Sequence, residues 1–255
     1  MKIATWNVNS LNVRLPHVLD WLRDNPIDVL CLQETKQEDS KFPYEDLKEA
    51  GYNAIHSGQK TYNGVAIISP HCLNEVHMGI PNFADEQKRL IAATINGVRI
   101  VCVYIPNGQA VGSDKYAYKL NWLQAFTPWL AAEINNHSKL ALLGDYNIAP
   151  EDIDCHDPAA WIGQVLVSEP EREAFKTLTQ LGLEDSFRLF EKGEGQFSWW
   201  DYRMAGFRRN LGMRIDHILV TPEVSKASTK SYIDKTPRKL ERPSDHTPVV
   251  LEFNI

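Results

Sequence analysis

Four apolar runs in this chain end on an amide or an acid. Ile3-Ala4-Thr5-Trp6 leads into Asn7-Val8-Asn9, and Val29-Leu30-Cys31-Leu32-Gln33 leads into Glu34. Leu142-Leu143 leads into Gly144-Asp145-Tyr146-Asn147, and Arg214-Ile215 leads into Asp216. Each would set a polar side chain at the rim of a buried strand, where loops build sites on a rigid scaffold. A single residue of this kind is ordinarily a turn former that bonds its own backbone. Four in one chain make that coincidence a poor account. Glu34 is the best metal ligand, because hard carboxylate oxygen suits Mg²⁺, with Mn²⁺ as a substitute. Its competing roles are a helix cap or an ion pair with Lys36. The eight histidines lack the His-Glu-x-x-His spacing, which counts against zinc.

Ser244-Asp245-His246-Thr247-Pro248 precedes the last apolar run. A histidine there can give or take a proton near neutral pH, and a carboxylate on one ring nitrogen would fix its tautomer and favour its charged form. Adjacent side chains point apart, so the partner of His246 is expected to be Asp216 rather than Asp245. No Gly-x-Ser-x-Gly elbow supplies a serine, and no cysteine has a nucleophile's context. Water is therefore the expected attacking group. His156 reads as a structural loop residue, and His56, His71, His77 and His137 belong to no constellation.

The elements that must position these groups follow from periodicity. Strand-like runs recur at 3–8, 29–33, 64–69, 90–95, 99–105, 140–144, 215–221 and 247–253. Asn96-Gly97 predicts a type I′ hairpin turn between two of them. Helical spacing covers 15–23, 115–135 and 171–181, the last bracketed by Pro170 and Gly182. The pattern predicts an α/β protein with sheets covered by helices. No low-complexity linker or short repeat divides the chain, so residues 1–255 are read as one domain. No apolar run approaches eighteen residues and the first residues lack the apolar core of a signal peptide, which makes the cytoplasm the expected location. Cys31 and Cys102 lie in apolar runs and no Cys-x-x-Cys occurs, which argues against a disulfide scaffold or thiolate zinc.

The net charge of −6 excludes a generic nucleic-acid coat, which depends on a positive field. Charge is uneven, however. Residues 196–245 hold ten Lys/Arg against six Asp/Glu, and residues 202–215 hold four arginines, among them Arg208 and Arg209, with one acid-free run between Tyr202 and Ile215. Such a stretch could hold one phosphate backbone, or it could be an ordinary solvated loop. Lys115 and Lys119 stand at i,i+4 after the Tyr104 segment and are further candidates for phosphate contact. The aromatics of that same helical run are read mostly as core.

Taken in order, Trp6-Asn7-Val8-Asn9, Leu32-Gln33-Glu34-Thr35-Lys36, Tyr104-Ile105-Pro106-Asn107-Gly108, Gly144-Asp145-Tyr146-Asn147-Ile148-Ala149-Pro150, Trp199-Trp200-Asp201-Tyr202-Arg203, Gly212-Met213-Arg214-Ile215-Asp216-His217 and Ser244-Asp245-His246-Thr247-Pro248 resemble the exonuclease III type of apurinic/apyrimidinic endonuclease family. The resemblance runs from residue 2 to residue 253. It implies a four-layer α/β sandwich, two mixed β-sheets packed face to face with helices outside. It implies Glu34 as the main metal ligand, helped by Asn7, Asn9 and Asp245, with Asp216 orienting His246. Asp145 would position or deprotonate the attacking water, and Asn147 and Tyr104 would contact the scissile phosphate. Some relatives carry Asp where this chain has Asn9, which would weaken a second metal position.

By the same resemblance, Trp199, Met213 and Ile215 would wall a slot for a flipped abasic sugar, with Asn210 offering its amide to the sugar-phosphate. The expected partner is double-stranded DNA with abasic sites or recessed or blocked 3′ ends, bound by a monomer away from membranes. Abasic-site incision stands slightly ahead of 3′–5′ exonuclease and 3′-phosphatase work. The alternatives are a dedicated 3′-end enzyme with weak or no abasic incision, a phosphomonoesterase acting on lipid headgroups, and a DNA-binding or scaffolding protein without catalysis.

Overall fold

In the computed structural model, which describes residues 1–254, the apolar runs become strands buried on both faces. The strands are β1 (Lys2–Asn7), β2 (Val29–Gln33), β3 (Asn53–Ser57), β4 (Val65–Ser69), β5 (Asn74–Met78), β6 (Leu90–Ile95), β7 (Val98–Tyr104), β8 (Leu140–Asp145), β9 (Glu184–Asp185), β10 (Trp199–Trp200), β11 (Gly212–Met213), β12 (Asp216–Val220), β13 (Ser228–Ile233) and β14 (Val249–Phe253). The helices are α1 (Leu11–Asp24), α2 (Tyr44–Glu49), α3 (Asp114–Asn136), α4 (Pro158–Trp161), α5 (Glu169–Gln180), α6 (Ser186–Phe190) and α7 (Pro222–Ala227).

One sheet has the order β13-β14-β1-β2-β4-β3, the other β5-β6-β7-β8-β12-β9, and β10 pairs with β11 in a separate ribbon. Each large sheet is mixed. β1 runs parallel to β2 and β7 parallel to β8, while β14 and β12 join them antiparallel. A parallel pair needs a crossover, and α1 and α3 supply the two.

Alternation along the strands sorts their side chains into layers. Ile3, Val29, Cys31 and Ile67 of one sheet meet Ile91, Ile100, Cys102, Leu143 and Ile218 of the other. The intervening Ala4, Trp6, Leu30 and Leu32 pack outward on Val18, Trp21 and Leu22 of α1. On the opposite outer face Val101, Val103, Leu140 and Leu142 pack on Trp122 and Phe126 of α3 and on Phe175 and Leu178 of α5. The expected four-layer sandwich is what forms. Each large side chain fully withdrawn from water contributes about 1.5–3 kcal/mol.

The hairpin turn has Asn96 at φ 50 and Gly97 at φ 79, both left-handed as type I′ requires. α1 starts four residues before the expected helix, at Leu11. Strands β3, β5 and β13 carry polar, partly exposed residues on the sheet edges, so their composition gave no buried-strand signal. The described cysteines are free, as expected, and no described helix is long and apolar enough to cross a membrane.

The arrangement delivers the polar residues to one rim. β1, β2, β7 and β8 all finish there and β12 begins there, so that Asp145 stands opposite both Tyr104 and Asp216 in register.

Candidate active site

The inward face of β1 changes from Ile3 through Thr5 to Asn7 as it nears the rim, and the polar groups then bond across the sheets. Asn7 Nδ2 donates to Glu34 Oε1 at 2.9 Å and to Asp145 Oδ2 at 2.8 Å, joining a carboxylate from each sheet. The Tyr104 hydroxyl donates to the same Glu34 Oε1 at 2.9 Å. Glu34 lies at φ 52 and Asn147 at φ 50, a region that costs a residue with a side chain on the order of 1–3 kcal/mol and recurs at functional sites. Asn147 donates to Asp145 twice, from its backbone at 2.9 Å and its amide at 3.2 Å, and Asn107 Nδ2 in turn donates to Asn147 Oδ1 at 2.9 Å.

His246 enters from the segment before β14. Its Nδ1 lies 2.8 and 3.1 Å from the two Asp216 oxygens, and its Nε2 lies 3.7 Å from Asp145 Oδ2. Asp216, not the adjacent Asp245, thus faces the His246 Nδ1. Ser198 Oγ accepts from the Ile215 and Asp216 backbone amides, and Ser244 Oγ donates to Asn7 O while accepting from His246 N.

The charges are strongly coupled. Burial alone would lower the His246 pKa, but the carboxylates of Asp216 and Asp145 outweigh it and hold the value up at about 10, so the ring is an imidazolium. Burial pushes Asp145 up to about 7 in spite of that neighbouring cation, with Asp216 and Glu34 adding to the rise. Burial, then the charges of Glu34 and Asp145, push the Tyr104 phenol well above its ordinary value, which keeps it a neutral donor. Burial opposes ionisation of Asp245, but His246 and hydrogen bonds from Asn9 and Trp199 hold it below the usual carboxylate range.

Glu34, Asp145 and His246 each present a ligand-type atom within 4.8 Å of the others. The oxygens of Glu34 and Asp145 form a hard donor set that fits Mg²⁺, while the Asn7 amide turns its Nδ2 toward both carboxylates and its Oδ1 accepts from Asn9 N at 2.9 Å. The imidazolium is a donor of protons rather than of a lone pair. Of the four expected ligands, Glu34 and Asn7 meet directly, whereas Asn9 Nδ2 bonds Asp245 Oδ1 at 2.9 Å. Lys36 joins the two pairs through Asn9 Oδ1 at 2.6 Å and Glu34 Oε2 at 3.0 Å. Glu34 therefore makes the competing ion pair and also faces the site.

The expected DNA-facing residues divide. Lys115, Arg208 and Arg209 are exposed. Lys119 is not: it is 0 % exposed, pairs with Glu171, and donates to the backbone oxygens of Asn147 at 2.6 Å and Asn107 at 3.2 Å. It braces the site from within and cannot meet a phosphate. The basic stretch is also thinner than its composition, since Arg214 is buried between Asp154 and Asp185 and Arg203 pairs with Asp201.

The slot residues form one cluster, but only Trp199 reaches the surface. Met213 is 0 % and Ile215 2 % exposed, packed with Ala149, Cys155, Leu166 and Val167. The Trp199 indole donates to Asp245 Oδ2 at 3.0 Å. Asn210 is exposed, yet its amide serves its own loop, accepting from Trp200 Nε1 and donating to Gly195 O. Sequence reasoning gave no role to Asn107, Ser198 or Arg89. Asn107 lay inside a quoted motif and could have been found; the other two carry no local signal.

Residues 4–246 match the Endonuclease/Exonuclease/phosphatase family. The chain is 34% identical to exodeoxyribonuclease III of Haemophilus influenzae over 267 residues, covering 99% of this chain and 100% of that one. It is 30% identical to the DNA repair nuclease APEX1 of Danio rerio, covering 98% of this chain and 81% of the relative. Among solved structures it is similar to the 3′ phosphatase NExo from Neisseria bound to a product DNA hairpin, with TM-score 0.99, 50% identity and full coverage of both chains. It is also similar to an AP endonuclease from Archaeoglobus fulgidus, with TM-score 0.97, 40% identity and full coverage of both.

Proposed function

The chain belongs to the endonuclease/exonuclease/phosphatase family, and from that premise we propose that it hydrolyses phosphate esters of DNA by divalent-metal-assisted attack of water. The observation that carries this reading is the convergence of Glu34, Asp145 and His246 within 4.8 Å, with the Tyr104 hydroxyl on Glu34. A binding or scaffolding module has no use for two carboxylates and an imidazolium held this closely.

Glu34, its carboxylate held by the Asn7 Nδ2, would hold Mg²⁺, which when bound supplies Lewis-acid stabilisation of charge on the phosphoryl oxygens. Asp145, with a pKa of about 7, is matched to accepting a proton from water near neutrality. Asn147 fixes that carboxylate through its two hydrogen bonds. The His246 imidazolium, oriented by Asp216, offers positive charge and an N–H where negative charge grows on the phosphoryl oxygens. Exposed Arg208, Arg209 and Lys115 would position the DNA backbone.

The buried slot favours one substrate class over the other. An abasic sugar turned out of the duplex has to be enclosed, yet Met213 and Ile215 have their apolar surface already covered. A 3′ terminal phosphate or nucleotide needs less room, so 3′-end processing is favoured over abasic-site incision. The likeness to a 3′ phosphatase supports that order, and the likeness to an AP endonuclease keeps abasic incision as a second activity. The test compares kcat/KM on a recessed or 3′-phosphorylated end with kcat/KM on a duplex holding one internal abasic analogue, in one Mg²⁺ buffer. A ratio above one supports the order given; a ratio well below one overturns it.

A further inference from the structure

We propose that Arg89 is the positioning residue of Tyr104, holding its phenol on Glu34 from behind. The inference deepens the phosphoesterase reading and rests on it for its kinetic test. Arg89 directly precedes β6 and Tyr104 ends β7, and the antiparallel register that pairs Leu90 with Val103 brings them side by side. Tyr104 N donates to Arg89 O at 2.8 Å, and Arg89 Nη1 returns a bond to Tyr104 O at 3.1 Å. The guanidinium lies over the Tyr104 ring, 4.7 Å from its centroid, with the Tyr118 ring at 5.7 Å. Its remaining edge donates to Gln87 Oε1 from Nε at 3.1 Å and Nη2 at 2.7 Å.

This cation is 9 % exposed, and among the described residues no carboxylate pairs with it. The nearby Asp85 is taken by the Tyr118 hydroxyl at 2.6 Å and the Gln87 backbone at 2.9 Å. A buried arginine serving stability alone would be expected to have an anion. Here every partner is neutral, and two contacts, one to backbone and one to ring, converge on the same tyrosine. That tyrosine has its hydroxyl on Glu34 and its ring at the edge of a cleft shared with Asn107, Lys115 and Tyr118. Lysine could keep the charge but not the planar fork that reaches Tyr104 O and Gln87 together while covering the ring.

The test is a mutant cycle with Arg89→Lys and Arg89→Gln in the wild-type and Tyr104→Phe backgrounds, on a 3′-phosphorylated duplex end with Mg²⁺. Misplacing a reacting group by about 1 Å can cost about 100-fold, so Arg89→Gln should lower kcat about 10- to 100-fold in the wild-type background with a much smaller change in KM. In the Tyr104→Phe background, where the hydroxyl is already gone, the same change should cost less than about 3-fold. Equal losses in the two backgrounds would mean that Arg89 acts on the fold in general and would overturn the proposal. Carbon-13 relaxation of a labelled Tyr104 ring, read without metal or DNA, gives a second arm. The ring should be rigid in the parent and mobile in both variants; an unchanged ring contradicts the proposal even if the protein has no phosphoesterase activity.

Discussion

Replacing Lys119 by Met should cost stability while leaving the salt dependence of DNA binding where it was. The side chain is 0 % exposed and its ammonium is shared by Glu171 and the backbone oxygens of Asn147 and Asn107. Met preserves much of the volume but strands the Glu171 carboxylate, itself 0 % exposed, and withdraws a donor from two carbonyls. Breaking one side of a buried pair costs about 3–5 kcal/mol. Glu171 retains bonds from Leu166 N at 3.0 Å and Ser168 N at 3.2 Å, which offset part of the loss, so about 3–4 kcal/mol is expected, a large share of a total stability of about 5–15 kcal/mol. Denaturant titration at constant slope reads it directly. Filter binding at several salt concentrations supplies the contrast, since a lost phosphate contact would flatten the slope of log affinity against log salt by about 0.9. A stability loss under about 1 kcal/mol together with a flattened slope would refute the buried brace and return Lys119 to the DNA surface.

Three further outcomes are expected. Asp216→Asn removes the nearest charge that raises His246, so its pKa should fall from about 10 toward neutrality and the alkaline limb of the pH–rate profile should move down with it; an unmoved limb, and unmoved imidazole nitrogen shifts in the metal-free protein, would refute the pairing. His217, wedged against the Tyr146 and Phe175 rings with Nε2 2.9 Å from Ile148 O, is lowered from 6.5 to about 4 by burial first and the Arg214 charge second. The unfolded chain therefore binds the extra proton between those values, and its contribution, present above about pH 6.5, should be lost as pH falls toward 4, on the order of 3 kcal/mol; denaturation midpoints showing no such loss in the parent relative to His217→Gln would contradict it. Arg208→Ala with Arg209→Ala should flatten the salt slope by up to about 2 with little change in kcat, and a slope that stays put would make the segment an ordinary solvated loop.

The residues at the rim were legible because each adjoins an apolar run: Asn7 and Asp145 end β1 and β8, Glu34 follows β2 and Asp216 opens β12, all at one rim of the two sheets. The Asp216–His246 pairing was legible too, from the rule that neighbours point apart. Lys119 was misread because its i,i+4 relation to Lys115 was weighed before the core stripe. Tyr116, Lys119, Trp122, Leu123, Phe126 and Leu130 are the buried positions of α3, at helical spacing, and Lys119 falls on that face. Arg214 was misread for a related reason, since charge was counted along the chain while Asp154 and Asp185, its partners, lie far away in sequence. Arg89 had no motif at all. Its place beside Tyr104 follows from the β6–β7 register that the Asn96-Gly97 turn fixes, but which groups its guanidinium then meets is set by tertiary packing that no local pattern encodes.

Hydrolysis of DNA phosphate esters by the Glu34, Asp145 and His246 cluster is open to a single experiment. The most direct measurement is release of phosphate or nucleotide from a labelled duplex 3′ end by the parent protein and by Glu34→Gln, with Mg²⁺ and with EDTA, alongside the unfolding transition of both. The expected result is Mg²⁺-dependent turnover by the parent, loss with EDTA, and a rate at least about 100-fold lower for a fully folded Glu34→Gln. Turnover of comparable rate by folded Glu34→Gln, or by the parent in EDTA, would contradict it.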